Sequence, residues 1–132
     1  MVRSIDWLKQ SEAEFKAATD LLNTNNFAWC CFTAQQSAEK SIKAILNHLQ
    51  NDALGHNLNT LIQEIERHLQ VDQAVINACI RLNRFYIPTR YPDAFASGVP
   101  AEQYFDQDAN QAVQDAEEVL RFARTIIQPT AR

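Results

Sequence analysis

Glycine is nearly missing from this chain, with 2 residues in 132 where average usage would give roughly nine. Sheet-rich folds need many tight turns, and glycine usually supplies them. The shortage therefore speaks against a β-rich architecture. Long apolar runs are missing as well: none approaches the ~18 residues of a membrane span, and the opening MVRSIDWLKQ has no run of signal-peptide length. Cysteine is scarce and odd in number, with Cys30 and Cys31 adjacent and Cys79 far away. That is no disulfide framework, and buried free thiols in a reducing cytoplasm are the expected state. An excess of positive charge is also lacking. Lys and Arg total 12 against 16 Asp and Glu, for a net charge of -4 and a pI near 5.3. No global field draws nucleic acid or an anionic membrane to such a chain, which leaves only a local basic patch.

The signatures of metal and phosphate chemistry are absent too. His48, His56 and His68 stand apart, no Glu has a His three residues after it, and no His or Cys pair has zinc spacing. His56, between Gly55 and Asn57, is expected to help cap a helix rather than to hold a metal. There is no Gly-rich phosphate loop and no nucleophile elbow. Neither a metal enzyme nor an autonomous nucleotide hydrolase is expected, and no cofactor is implied.

What is present is helical periodicity. With 46% hydrophobic and 21% charged residues, the chain suits one compact domain over residues 1–132. A first helix is expected from about Ser4 to Asn23, with Leu8, Ser11, Phe15, Ala18 and Leu22 on one face. Asn25 and Asn26 break it and offer a cap to the second, Phe27 to about Leu49, whose face is Phe27, Cys31, Ala34, Ala38, Ile42, Ile45 and Leu49. Glu39 and Lys43 are spaced to pair on an exposed face of that helix. Asn57 caps a shorter helix carrying Leu58, Leu61, Ile62, Ile65 and Leu69. Asp72 caps a fourth with Val75, Cys79, Leu82 and Tyr86 inside, ended by Pro88 and Pro92. The last runs from about Asp106 to Ile127 on Ala112, Ala116, Val119, Ala123 and Ile126. The fold expected is all-α: an up-and-down four-helix bundle with a shorter additional helix and a long ordered loop before the last helix.

That loop, Ile87 to Phe105, is longer than bundle connections usually are. Three of the four prolines stiffen it, and Tyr91, Phe95, Tyr104 and Phe105 are available to anchor it. It is either a shaped functional surface or a cover for one end of the bundle. Arg81 and Arg84 lie three apart on the fourth helix, off its apolar stripe, and Arg90 follows. These guanidinium groups either hold a phosphate or pair with surface carboxylates. Lys40 and Lys43 fall on one solvent-facing strip of the second helix. Trp7, Phe27, Trp29 and Phe32 are more bulk than two inner faces need, so they either fill a single core or seek a second copy.

Three stretches resemble one family. Trp29-Cys30-Cys31-Phe32-Thr33-Ala34-Gln35-Gln36-Ser37-Ala38-Glu39-Lys40-Ser41-Ile42-Lys43-Ala44 resembles the signature helix of HEPN domains. Gly55-His56-Asn57-Leu58 is similar to the family's Thr/Gly-His-x-Leu element. Tyr86-Ile87-Pro88-Thr89-Arg90-Tyr91-Pro92-Asp93-Ala94 resembles its most recognisable loop. The likeness runs from Asp6-Trp7-Leu8 to the last helix. It implies a dimerising helical bundle, often a partner of a small nucleotidyltransferase, and in many such pairs a ribonuclease toxin. Nuclease members carry Arg-x4-6-His, commonly Arg-x4-His-x-Tyr, and some partners silence the site by adenylylating that Tyr.

On this chain the resemblance assigns Arg84 to the Arg position and Tyr91 to the Tyr position, with Thr89 in place of the His. RNA cleavage through the 2′-hydroxyl needs a group that exchanges a proton near neutral pH, which imidazole does and a threonine hydroxyl does not. The expectation is therefore a cytoplasmic homodimeric subunit that binds nucleotide or RNA phosphate, with weak or no catalysis. Arg84, Arg90, Tyr91 and Tyr86 would form its site, with Lys40 and Lys43 adding charge, no metal, and Tyr91 as an acceptor for nucleotidyl modification. A divergent metal-independent ribonuclease and a bare protein-interaction module are the alternatives.

Overall fold

The computed structural model describes residues 3–52, 54–87 and 89–128. Among these it is all helix: α1 (Ser4–Asn23), α2 (Phe27–His48), α3 (Leu58–Glu66), α4 (Gln73–Asn83) and α5 (Asp106–Ile127), with short 3-10 turns at Pro92–Ala94 and Pro100–Glu102. The expected up-and-down bundle with one shorter helix is what forms.

The second helix is the hub. It packs on α1, α3, α4 and α5, most extensively on α1 and α5. Side-chain size explains the closeness. Ala34 and Ala38 on α2 and Ala109, Ala112, Ala116 and Ala123 on α5 are all fully buried, and small side chains at a contact let helix axes approach. Leu8, Ile42, Ile45, Leu46, Leu58, Leu61, Ile65, Leu82 and Leu120 supply the volume around that seam.

A polar seam joins α1 to α2. The Ser11 hydroxyl donates to the Ser37 carbonyl at 2.7 Å and lies 2.6 Å from the Ser41 hydroxyl, while the Ser37 hydroxyl donates to the Ser11 carbonyl at 2.9 Å. All three serines are buried. Buried hydroxyls are tolerated only when bonded, so this cluster fixes the register of the two helices. The thiols follow the expectation of burial without disulfides. Burial pushes Cys30 up to about 11, and Cys31 and Cys79 up to about 12.

Several boundaries differ from the sequence pattern. The third helix ends at Glu66, short of Leu69, and the fourth at Asn83. Tyr86 therefore leaves the inner stripe: the chain tightens at the helix end, with the Phe85 amide donating to Leu82. Phe85 is buried beside Tyr104, whereas Tyr86 turns toward α2 and the loop before α3. Pro88, expected to end the helix, lies outside the described residues. Asn57 does cap α3, accepting from the amides of Asn59 and Thr60. Asn26 and Asp72 occupy the cap positions of α2 and α4 without a side-chain bond to the helix amides. At α5 the Asp108 carboxylate accepts the Phe105 amide at 2.8 Å. The aromatics of the long loop divide: Tyr104 packs edge-on against Phe85 and Phe95 at 5.8 and 6.1 Å, while Tyr91 and Phe105 remain exposed. Trp29 is half exposed, and Trp7, Phe27 and Phe32 are partly covered.

Replacing Ser11 with Ala removes the donor at the centre of the serine cluster and strands buried polar partners. A loss of about 1–3 kcal/mol is expected, measured as a lowered urea midpoint with unchanged slope.

Candidate functional site

The end of α4 and the loop that follows hold most of the residues singled out above. Arg84 is the C-cap of α4. It is exposed, its Nε donates to the Arg81 carbonyl at 3.1 Å, and its guanidinium lies 5.5 Å from the Phe85 ring. Arg90 is held more firmly. Its Nε donates to the Tyr86 carbonyl at 2.9 Å, and its guanidinium carbon lies 4.4, 4.8 and 5.1 Å from the ring centroids of Phe32, Tyr86 and Tyr91. Aromatic faces attract a guanidinium, so Arg90 is orientated by three rings and one carbonyl. The two arginines are attached to different aromatic groups, Arg84 to Phe85 and Arg90 to the Phe32–Tyr86–Tyr91 cluster.

Arg81 has the other fate open to it. Its Nε and Nη2 donate to both carboxylate oxygens of Asp115 on α5, at 2.9 and 2.8 Å. The bond to Asp115 holds the guanidinium proton more firmly than usual. Arg3, Arg67, Arg121 and Arg124 pair with carboxylates too. Among the described residues, Arg84 and Arg90 are the arginines with no carboxylate partner.

The lysine strip is corrected by the packing. Lys40 reaches Glu14 on α1 at 3.2 Å and Lys43 reaches Glu39 at 3.0 Å, with side chains only 18% and 17% exposed. A helix covered by four others has little free surface, so both ammonium groups are paired instead of offered to solvent. The Glu39–Lys43 pair belongs to the interior and not to an exposed face, since Glu39 is 2% exposed.

Thr89 is also an interior residue. It is 2% exposed and its hydroxyl donates to the Phe85 carbonyl at 2.6 Å, closing the turn after α4. Where the pattern that the sequence resembles has an imidazole, this chain spends the side chain on a backbone bond. His56 is not a helix cap as expected. Its Nδ1 meets Glu39 Oε2 at 2.8 Å, and its ring stacks on Tyr86 at 5.0 Å and 13°. A shallow pocket of about 360 Å³ opens there, lined by His56, Asn57, Asn83, Tyr86 and Ile87. Sequence reasoning missed this pairing of an isolated His with a buried Glu 17 residues away. The one available signal was the Glu39–Lys43 spacing, which located the carboxylate but not its burial. Among the described residues no group of three or more His, Cys, Asp and Glu side chains could hold a metal ion, and no helix is long and apolar enough to cross a membrane.

An all-α bundle that carries unpaired arginines and clustered aromatics beyond its fourth helix defines the class. The chain belongs to the HEPN domain family, whose model matches residues 4–126. It is similar to TT1696 from Thermus thermophilus, 33% identical with a TM-score of 0.92 over 96% of this chain and 100% of that one. It is also similar to ST0689, an archaeal HEPN homologue, 28% identical with a TM-score of 0.79 over 94% and 97%. A protein of Methanocaldococcus jannaschii named "Putative toxin MJ1304" is 23% identical over 92% of this chain and 86% of its own length.

Two substitutions at Thr89 check its interior role. Thr89→Val keeps the shape, loses the bond to Phe85 and is expected to cost about 1 kcal/mol. Thr89→His, which would complete the nuclease pattern, overpacks a covered position and is expected to cost roughly 1–3 kcal/mol. Thermal or urea unfolding measures both; a His variant as stable as the parent would show the position to be open.

Proposed function

We propose that this chain is a HEPN subunit that binds the phosphate of a nucleotide or of RNA at the end of α4, with little or no catalysis of its own. It acts as a homodimer beside a small nucleotidyltransferase. The observation that carries the reading is the pairing pattern of its arginines. In a chain with more carboxylates than cations, Arg84 and Arg90 alone of the described arginines are left without an acidic partner. Both lie at the same helix end. A guanidinium fork suits phosphate oxygens, and Tyr91, 46% exposed beside Arg90, offers a face for a base. The half-exposed Trp29, edge-on to Phe32 at 6.0 Å, supports a second copy against this side of the bundle.

The name of the Methanocaldococcus jannaschii relative favours a second reading, a toxin acting as a ribonuclease. The interior position of Thr89 weighs against it. A hydroxyl bonded to a backbone carbonyl and shielded from solvent has no means of exchanging protons with a substrate, and general acid–base help is worth about 10²–10⁴-fold.

Binding of a short single-stranded RNA and of ADP, followed by calorimetry, tests the lead. Arg90→Ala is expected to weaken binding roughly 10–100-fold, the range for a lost hydrogen bond to a charged group. Arg124→Ala, on the far paired arginine, is expected to leave it unchanged. The same protein is expected not to cut RNA in EDTA; cleavage that vanishes in Arg84→Ala would make it a nuclease instead. After co-expression with its nucleotidyltransferase, intact-mass spectrometry is expected to show added nucleotide that Tyr91→Phe abolishes. Added mass that persists in that variant would place the modification elsewhere.

A further inference from the structure

His56 sits on a loop with its side chain 55% exposed, so specific bonds rather than burial hold it. The Leu58 amide donates to Asn83 Oδ1 at 2.8 Å, which ties the start of α3 to the last residue of α4. The imidazole Nδ1 meets Oε2 of the buried Glu39 at 2.8 Å. An ionised carboxylate only accepts, so Nδ1 carries the proton and donates. A ring N–H lies in the plane of its ring, and a near-linear bond to a fixed acceptor therefore restricts that plane. Held in this way, the imidazole lies 5.0 Å from the Tyr86 ring at an interplanar angle of 13°. Tyr86 stands in the turn beyond α4 and meets Arg90 twice. Its carbonyl accepts Nε at 2.9 Å, and its ring centroid lies 4.8 Å from the guanidinium carbon. With Nε spent on that carbonyl, the two Nη groups are the donors that Arg90 has left for a ligand.

We propose that His56 is a positioning residue for Arg90: its ring, held by Glu39, keeps Tyr86 in the place from which Tyr86 orientates the guanidinium. This rests on the phosphate-binding reading above for its consequence, a ligand held more tightly, while the contacts themselves belong to the protein alone. His56 touches no ligand in this role, and its charge plays no part. A role in stability alone has different requirements. If His56 served only to satisfy the buried carboxylate, any donor to Glu39 at that position would do as well. A flat ring is required only where the stack on Tyr86 matters. Phe32 and Tyr91 also lie against Arg90, at 4.4 and 5.1 Å, so loss of the stack loosens the guanidinium without releasing it. The expected effect is therefore moderate, roughly 2–10-fold in affinity, the range for one aromatic pair.

The test uses the full-length protein and two readouts. One is the Arg90 Nε–H signal in a proton–nitrogen correlation spectrum, identified by its loss in Arg90→Lys. Ring currents from Phe32, Tyr86 and Tyr91 displace that signal, so it reports the pose of Arg90 with no ligand present. The other is affinity for ADP and for a short single-stranded RNA, by calorimetry. His56→Asn removes the ring and keeps a donor to Glu39, because the Asn Nδ2 takes the place of the imidazole Nδ1. It is expected to shift the Arg90 signal and to weaken binding by the factor above, with an unfolding midpoint close to the parent's. His56→Phe restores a ring without the bond, and is expected to be less stable yet closer to the parent than His56→Asn in both readouts. Should His56→Asn not fold, His56→Gln is the second ring-free variant. A parent-like Arg90 signal in the ring-free variant, or a His56→Phe that matches the ring-free variant in both readouts, overturns the positioning role and leaves the Arg90 reading standing. A signal that follows the ring, in a parent that binds neither probe, supports the positioning role and overturns the phosphate reading.

Discussion

The Glu39 carboxylate is the interaction on which the site depends. Burying a charge costs several kcal/mol unless it is paired, and at 2% exposure Glu39 has two groups to satisfy it: Lys43 one turn along its own helix and His56 from the connection to α3. One of its oxygens carries both partners while the other has none among the described residues. That demand pins a loop residue, its own side chain 55% exposed, against the central helix. His56, once pinned, gives Tyr86 a ring to stack on, and Tyr86 in turn offers both its carbonyl and its ring to Arg90. A buried acid on the central helix is thus connected, contact by contact, to an arginine at the rim.

The same helix shows why burial and function share so little of the chain. Because α2 touches every other helix, its stripe must be small or aliphatic, and its long polar side chains are drawn into pairs. Lys40 ties α2 to α1 through Glu14, and Arg81 ties α4 to α5 through Asp115. These cations hold helices together and are not available to a ligand. What remains for binding lies where helix packing ends, beyond Asn83, in a segment whose own backbone bonds are short-range turns.

The helices were legible because their signals are local. Apolar spacing placed α1, α2 and α5 almost to the residue, and Asn57 announced the start of α3. The end of α4 was not legible, because proline reports only on its immediate neighbours, whereas the turn at Phe85 is set by that ring's contact with Tyr104 and by the Thr89 hydroxyl. The arginines could be named from sequence but not sorted. Whether a guanidinium pairs depends on a carboxylate 34 residues away for Arg81 and on nothing nearby for Arg90. His56 was unreadable for the same reason. Its partner lies 17 residues earlier, and isolation in sequence says nothing about isolation in space.

Thr89 and His56 together describe how this chain departs from the nuclease pattern of its family. In that pattern four to six residues separate the arginine from an imidazole. Here the turn after α4 closes on itself through the Thr89 hydroxyl, and the imidazole beside the arginine and aromatic cluster comes from the opposite side, across Tyr86. His56 has one nitrogen held by the buried Glu39 carboxylate. Tyr86 contacts both that imidazole, which stacks on its ring, and Arg90, whose Nε donates to its carbonyl. The turn after α4 therefore closes without an imidazole, and the imidazole near it is held by the buried carboxylate that ties α2 to the loop before α3.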